Sequence, residues 1–180
     1  TVPAWSEGTV LQGRYELHER LSSAGGSQVW SAIDLSSGQK MRLRAHCAGA
    51  LPRGAMMRIE HDAALLKELN SAYVMPVLDS WWQEECFVTV CALSEGLPLA
   101  QLLQRGPLNL HDAIGVGICL LSALRDVHRQ GVIHRSVRPA HLIVQYINDF
   151  PTARLVDFGP PPGFYEAVQH SREQAEAARY

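Results

Sequence analysis

Val132-Ile133-His134-Arg135-Ser136-Val137-Arg138-Pro139-Ala140-His141-Leu142-Ile143-Val144, followed by Leu155-Val156-Asp157-Phe158-Gly159, is the part of this 180-residue chain that decides its fold. Two apolar runs flank a charged, proline-bearing stretch, so the region reads as strand and loop. Immediately before it, Leu110 to Gln130 carries Ala113, Ile114, Val116, Ile118, Leu120, Leu121, Leu124 and Val127 around nearly the whole circumference. A helix that is apolar all round is expected to be buried all round. Further upstream, Leu99 to Leu103 is a short helical segment closed by Gly106-Pro107, and Glu95-Gly96-Leu97-Pro98 reads as a linker. The first half is strand-like. Met41, Leu43 and Ala45 alternate with Arg42 and Arg44, and Ser36-Ser37-Gly38-Gln39 is turn chemistry for a hairpin. Arg58 to Leu69 changes period, with Ile59, Ala63, Leu66 and Leu69 three or four apart, and predicts an amphipathic helix. Val74 to Leu78 and Phe87 to Leu93 are short apolar runs that again predict strands. Strands, a helix, strands, a linker and a helical part suit a small β-rich lobe joined to a helical lobe.

Composition narrows the function classes. The chain is 47% hydrophobic and 19% charged, too apolar for a disordered segment. Its net charge of −2 offers no excess to attract a nucleic-acid backbone. No apolar run approaches the ~18 residues of a membrane span, and no leader sequence marks secretion. The first residue is Thr1, which suggests an excised or processed piece. Cys47, Cys86, Cys91 and Cys119 show neither C-x-x-C nor zinc spacing, so they are expected to be free thiols in a reducing, cytoplasmic compartment.

In these motifs the sequence resembles the protein kinase family. The first stretch looks like the catalytic-loop signature H-R-D-L-x-x-x-N and the second matches D-F-G. Upstream, Leu21 to Val29 falls where that family has its glycine-rich loop, Met41-Arg42-Leu43-Arg44 at the V-A-I-K strand, the helix carrying Asp62 at αC, and Cys91 to Ser94 at the hinge. Gly13-Arg14-Tyr15 and the turn Pro139-Ala140-His141 resemble bacterial-type Ser/Thr kinases. The resemblance implies an α+β, protein-kinase-like bilobal fold: a β-rich N-lobe with αC over residues 1–91, a hinge over 92–98, and a truncated helical C-lobe over 99–180.

Phosphoryl transfer asks for positioning and charge neutralisation, and the family's parts for both are altered here. Ser22, Ala24 and Ser27 replace the three loop glycines, with Gly25 and Gly26 displaced, so the loop reads as a plain hairpin turn. Arg44 takes the place of the lysine and Asp62 that of its glutamate partner, which predicts an Arg44–Asp62 ion pair of similar total reach. Ser136 replaces the catalytic Asp, and a hydroxyl is no base near neutral pH without an activating neighbour. His141 replaces the metal-binding Asn, although magnesium wants oxygen ligands. Asp157 alone is left as a weak metal ligand. No catalytic position is intact. Should a nucleotide bind, the resemblance places it against Ala24, Gly25, Gly26, Val29, Arg44, Asp62, Cys91, Leu93 and Asp157.

The implied function is a catalytically inactive kinase-like module, a pseudokinase, acting as a regulatory or protein-interaction domain of a signalling protein. It requires no cofactor, and ATP with magnesium is a doubtful ligand. The alternatives are a weak or atypical active Ser/Thr kinase and an ATP-sensing domain without phosphotransfer. Its partner is expected to be another protein or other domains of a larger chain, or a second copy covering the incomplete C-lobe, with no nucleic acid and no membrane. Pro160-Pro161-Pro162 predicts a stiff segment after Gly159, and Ser171 an N-cap for a polar helix from Arg172 to Arg179. Trp81-Trp82 should point to opposite faces of a strand.

Overall fold

A computed structural model describes residues 4–24, 26–93 and 95–159. The triproline and the Ser171-capped helix lie outside these residues.

Six antiparallel strands form the first sheet, in the order β1-β2-β3-β4-β6-β5. They are β1 (Val10–Leu11), β2 (Tyr15–Ala24), β3 (Ser27–Asp34), β4 (Lys40–Cys47), β5 (Val77–Gln83) and β6 (Cys86–Ala92). The expected β3–β4 hairpin forms, and Asp34 organises it. Its carboxylate accepts from Ser36 N at 2.9 Å and Ser36 Oγ at 2.6 Å, and receives the Arg14 fork at 2.9 and 2.7 Å. Arg14 thus has a structural role, tying β2 to that turn. The β2–β3 connection is a two-residue turn, since Ala24 pairs with Ser27, as the plain-hairpin reading expects.

Helix α1 (Arg53–Glu68) joins β4 to β5. It starts five residues before the expected Arg58, directly after Pro52, whose fixed φ suits a helix entrance. Ala55, Met56, Ile59, Ala63 and Leu66 form its buried stripe. The predicted strand at Val74 is a single parallel bridge to Leu155 instead. Pro76 cannot donate to a ladder, so the strand begins after it.

The rest is a three-stranded sheet of β7 (Leu97–Pro98), β8 (Leu142–Ile147) and β9 (Phe150–Leu155), with helices α2 (Leu99–Leu103) and α3 (Leu110–Arg129). Asn109 caps α3, its side chain accepting from Asp112 N at 2.8 Å. The expectation that α3 is buried all round is corrected. Val116, Cys119, Ala123 and Val127 pack in the core with β8 and β9, while Leu110, Ile114, Ile118 and Leu121 stay exposed. Sequence shows a residue's hydrophobicity, and only the structure shows whether anything lies opposite.

The two largest of four buried clusters among the described residues lie within the first sheet around Leu17, Leu43, Val88 and Val90, and where α3, β8 and β9 meet Leu66 and Val77. Trp81 stacks on Tyr15 at 5.4 Å, while Trp82 is exposed, consistent with opposite faces. The free-thiol expectation fails for two cysteines. Cys47 and Cys86 are directly opposite in the β4–β6 register and are joined by a disulfide. Cys91 and Cys119 are free.

Candidate functional site

The loop after α3 and the segment after β9 are held together by backbone and histidine hydrogen bonds. His134 is buried, and its Nε2 donates to Val156 O at 2.8 Å, while its Nδ1 accepts from Ser136 N at 3.2 Å. Gly159 N donates to His134 O, and Val156 N to His141 O. The Phe158 ring lies 4.5 Å from that of His134. His141 Nε2 accepts from Arg138 Nε at 3.0 Å, so its proton sits on Nδ1 and is donated to Ser136 O at 2.8 Å. Burial lowers both His134 and His141 to about 4, so both are neutral near pH 7.

Two residues of these motifs adopt positive φ without being glycine: Arg135 at 64° and Asp157 at 60°. Such a conformation costs on the order of 1–3 kcal/mol and persists where surrounding contacts fix it. Those contacts are ion pairs. Arg135 Nη1 donates to Asp62 Oδ2 at 2.6 Å, so α1 is tied to the loop. Arg58, one turn earlier on α1, approaches the other oxygen at 3.3 Å. The predicted Arg44–Asp62 pair does not form: Oδ2 takes the Arg135 guanidinium, and Oδ1 has Arg58 as its ion-pair partner but no hydrogen bond among the described residues. Arg44 is buried in β4 and its Nε donates to Ser27 Oγ at 3.4 Å.

Asp157 is held by a residue that motif comparison passed over. Arg42 Nε donates to Oδ1 at 3.0 Å, and Arg42 Nη2 grips Oδ2. Burial pushes the Asp157 carboxyl up, but the Arg42 fork and charge, with Arg44 behind it, outweigh that and hold it below the usual range. The signal for Arg42 was in the sequence. In β4 the period of two puts residues 42 and 44 on one face, so an arginine at both positions sends two cations towards the same place.

The pair divides the space between the two sheets. On one side lies a cleft of about 1140 Å³, bordered by Ser22, Leu93, Arg138, His141 and Asp157. On the other lies a cavity of about 40 Å³, between α1, β4 and Phe158, with Arg44, Asp62 and Cys91 on its wall. Arg42 and Asp157 border both. The sequence-predicted residues are thus partly gathered. His141, Leu93 and Asp157 face the cleft; Arg44, Asp62 and Cys91 face the cavity. Val29 is buried opposite Arg44, Gly26 and the backbone of Ala24 form the hairpin, and Gly25 lies outside the described residues. Ser136 is buried and its Oγ has no hydrogen-bond partner among the described residues.

These residues do not fit a magnesium–nucleotide pair. The carboxylate that would bind the metal is neutralised by a two-pronged arginine, and the imidazole in the second ligand position already accepts a hydrogen bond. Among the described residues no cluster of three or more His, Cys, Asp or Glu could hold a metal ion.

No family model matches the chain. It is 31% identical over 157 residues to the DNA damage-responsive serine/threonine-protein kinase RqkA of Deinococcus radiodurans, covering 84% of this chain and 23% of that protein. It is 29% identical to the serine/threonine-protein kinase PknL of Mycobacterium tuberculosis, covering 85% of this chain and 38% of the relative. The chain therefore spans well under half the length of the curated relatives it matches. Among solved structures, the kinase domain of Mycobacterium tuberculosis PknI superposes with a TM-score of 0.71 at 20% identity, over 88% of this chain and 64% of that domain.

Proposed function

Because the chain is kinase-like, with the protein kinase fold and bacterial Ser/Thr protein kinases as its relatives, we propose that it is a pseudokinase domain that regulates or binds rather than transfers phosphate. The observation that carries this reading is the Arg42 fork on Asp157. It occupies the one surviving metal-binding carboxylate with an internal cation. Ser136 supports the reading, since no base stands beside its hydroxyl to accept a substrate proton. Neither His134 nor His141 supplies one, because the free-electron-pair nitrogen of each already accepts a hydrogen bond.

In this reading the domain needs no cofactor. Its partner is another protein or another domain of a longer signalling chain, with a second copy as the alternative; the exposed Leu110, Ile114, Ile118 and Leu121 on α3 offer an apolar face for either. No helix among the described residues is long and apolar enough to cross a membrane. A cytoplasmic location goes with the signalling role. The Cys47–Cys86 bond weighs against it, since disulfides are rare in reducing compartments.

The test is a thermal-shift series with ATP, with and without Mg²⁺ or Mn²⁺, beside a radiolabel transfer assay. The expected result is no transfer and no metal-dependent shift. Arg42→Ala, which frees Asp157, is expected to gain a metal-dependent shift. Nucleotide at about 100 times Kd would stabilise by roughly 2.7 kcal/mol, which such melts resolve easily. A shift without transfer in the unaltered chain indicates a nucleotide sensor. Transfer that Asp157→Ala abolishes indicates an active kinase and overturns the proposal.

A further inference from the structure

The charges around the small cavity do not balance. Asp157 is neutralised by Arg42, and Asp62 by Arg58 and Arg135. Arg44 is left over. The residue is only 6% exposed, and no carboxylate among the described residues forms an ion pair with it. Nη1 is fully buried without an acceptor among the described residues. The only side-chain hydrogen bond Arg44 makes among the described residues is a long one from Nε to Ser27 Oγ, at 3.4 Å. A guanidinium stays protonated in proteins, so this is a buried cation with no ion pair of its own, sharing only the charge of an Asp157 carboxylate that Arg42 already holds, an arrangement folded chains avoid.

We infer that the cavity behind the Arg42–Asp157 pair is a binding site for one small monovalent anion, of halide size, which neutralises Arg44. The volume of about 40 Å³ holds two or three waters, or one monatomic anion and a water, but not a phosphate with its four oxygens. Two carboxylates on the wall disfavour a second negative charge, and the buried Asp62 Oδ1, which has no hydrogen-bond partner among the described residues, asks for a donor that the accompanying water supplies. The remaining wall includes Ile59, Leu66, Met75 and Val77, which ask for no hydrogen bonds and suit a weakly hydrated ion. The inference does not rest on the pseudokinase reading. A nucleotide phosphate would arrive from the cleft, on the far side of Arg42 and Asp157.

Chemical denaturation of the full chain in sodium chloride, against sodium gluconate at matched ionic strength, tests it. Above saturation, each tenfold rise in chloride should raise the folding constant about tenfold, or about 1.4 kcal/mol. Arg44→Met should lose this dependence and Arg44→Lys should keep it. No chloride effect in the unaltered chain, or the same effect in Arg44→Met, overturns the inference. Should Arg44→Met fail to fold, crystals of the unaltered chain soaked in bromide decide the matter. An anomalous peak within hydrogen-bond reach of Nη1 supports the site, and its absence there overturns it.

Discussion

Asp62 illustrates how a one-methylene change redirects an ion pair. A shorter acid on α1 cannot reach far, so it takes the guanidinium groups brought to it: Arg58 from one helical turn away and Arg135 from the strained loop. The arginine in the lysine position is left without a role in holding α1. A double-mutant cycle separates these partners. Asp62→Ala with Arg135→Ala should show a coupling of about 0.5–3 kcal/mol, the range of contacting residues. Asp62→Ala with Arg44→Met should show a smaller coupling, that of two charges which line one cavity without forming an ion pair. Equal couplings in urea denaturation, or a larger one with Arg44, would refute the assignment. Asp62→Ala should itself destabilise, since it strands Arg135 with a side-chain exposure of only 24%.

At the scale of elements, β4 carries most of the consequences. Its alternation of apolar and arginine positions was plain in the sequence, as were the β3–β4 hairpin and the bounds of α2 and α3, because each depends on neighbours a few residues apart. The Arg42 fork was less legible, since its acceptor lies 115 residues away along the chain. The Cys47–Cys86 bond was not legible, because pairing residues 39 apart depends on the register of β4 against β6, not on either strand alone. The free face of α3 was hidden for a related reason: apolar side chains look the same whether or not something covers them. The disulfide makes a separate prediction. It closes a loop of intermediate length at the end of the sheet that leads into α1, so reduction, or Cys47→Ser with Cys86→Ser, should lower stability by about 2–4 kcal/mol. Urea midpoints that do not move on reduction would show that the bond constrains little, and alkylation with mass analysis reads directly whether two thiols or four are available.

For the whole molecule, the segments joining the two sheets are built on neutral imidazoles. His134 ties the loop to the Asp157 segment, His141 braces the loop from within through Ser136 O and Arg138, and His46, on the cavity wall, packs against Gly159. Burial drives all three down, to about 4 for His134 and His141 and well below the ordinary value for His46, with the Asp157 charge opposing in each case. In the unfolded chain they titrate near 6.5. Between pH 6.5 and about 4 the unfolded chain therefore binds protons that the folded chain refuses, so unfolding is favoured progressively as pH falls. Above pH 6.5 the stabilisation is complete, and it is lost downwards, not upwards. Each histidine can contribute a slope of at most about 1.4 kcal/mol per pH unit. Three together would consume much of a typical domain stability of about 5–15 kcal/mol before the carboxylates titrate. Urea denaturation from pH 7 to pH 5 should show stability falling steeply, and His141→Asn, which removes one titrating ring, should flatten that slope by about one proton. A flat profile over this range would mean that the junction around Asp157 tolerates a charged imidazole, and that the lobes are held together by something other than this hydrogen-bonded histidine pair.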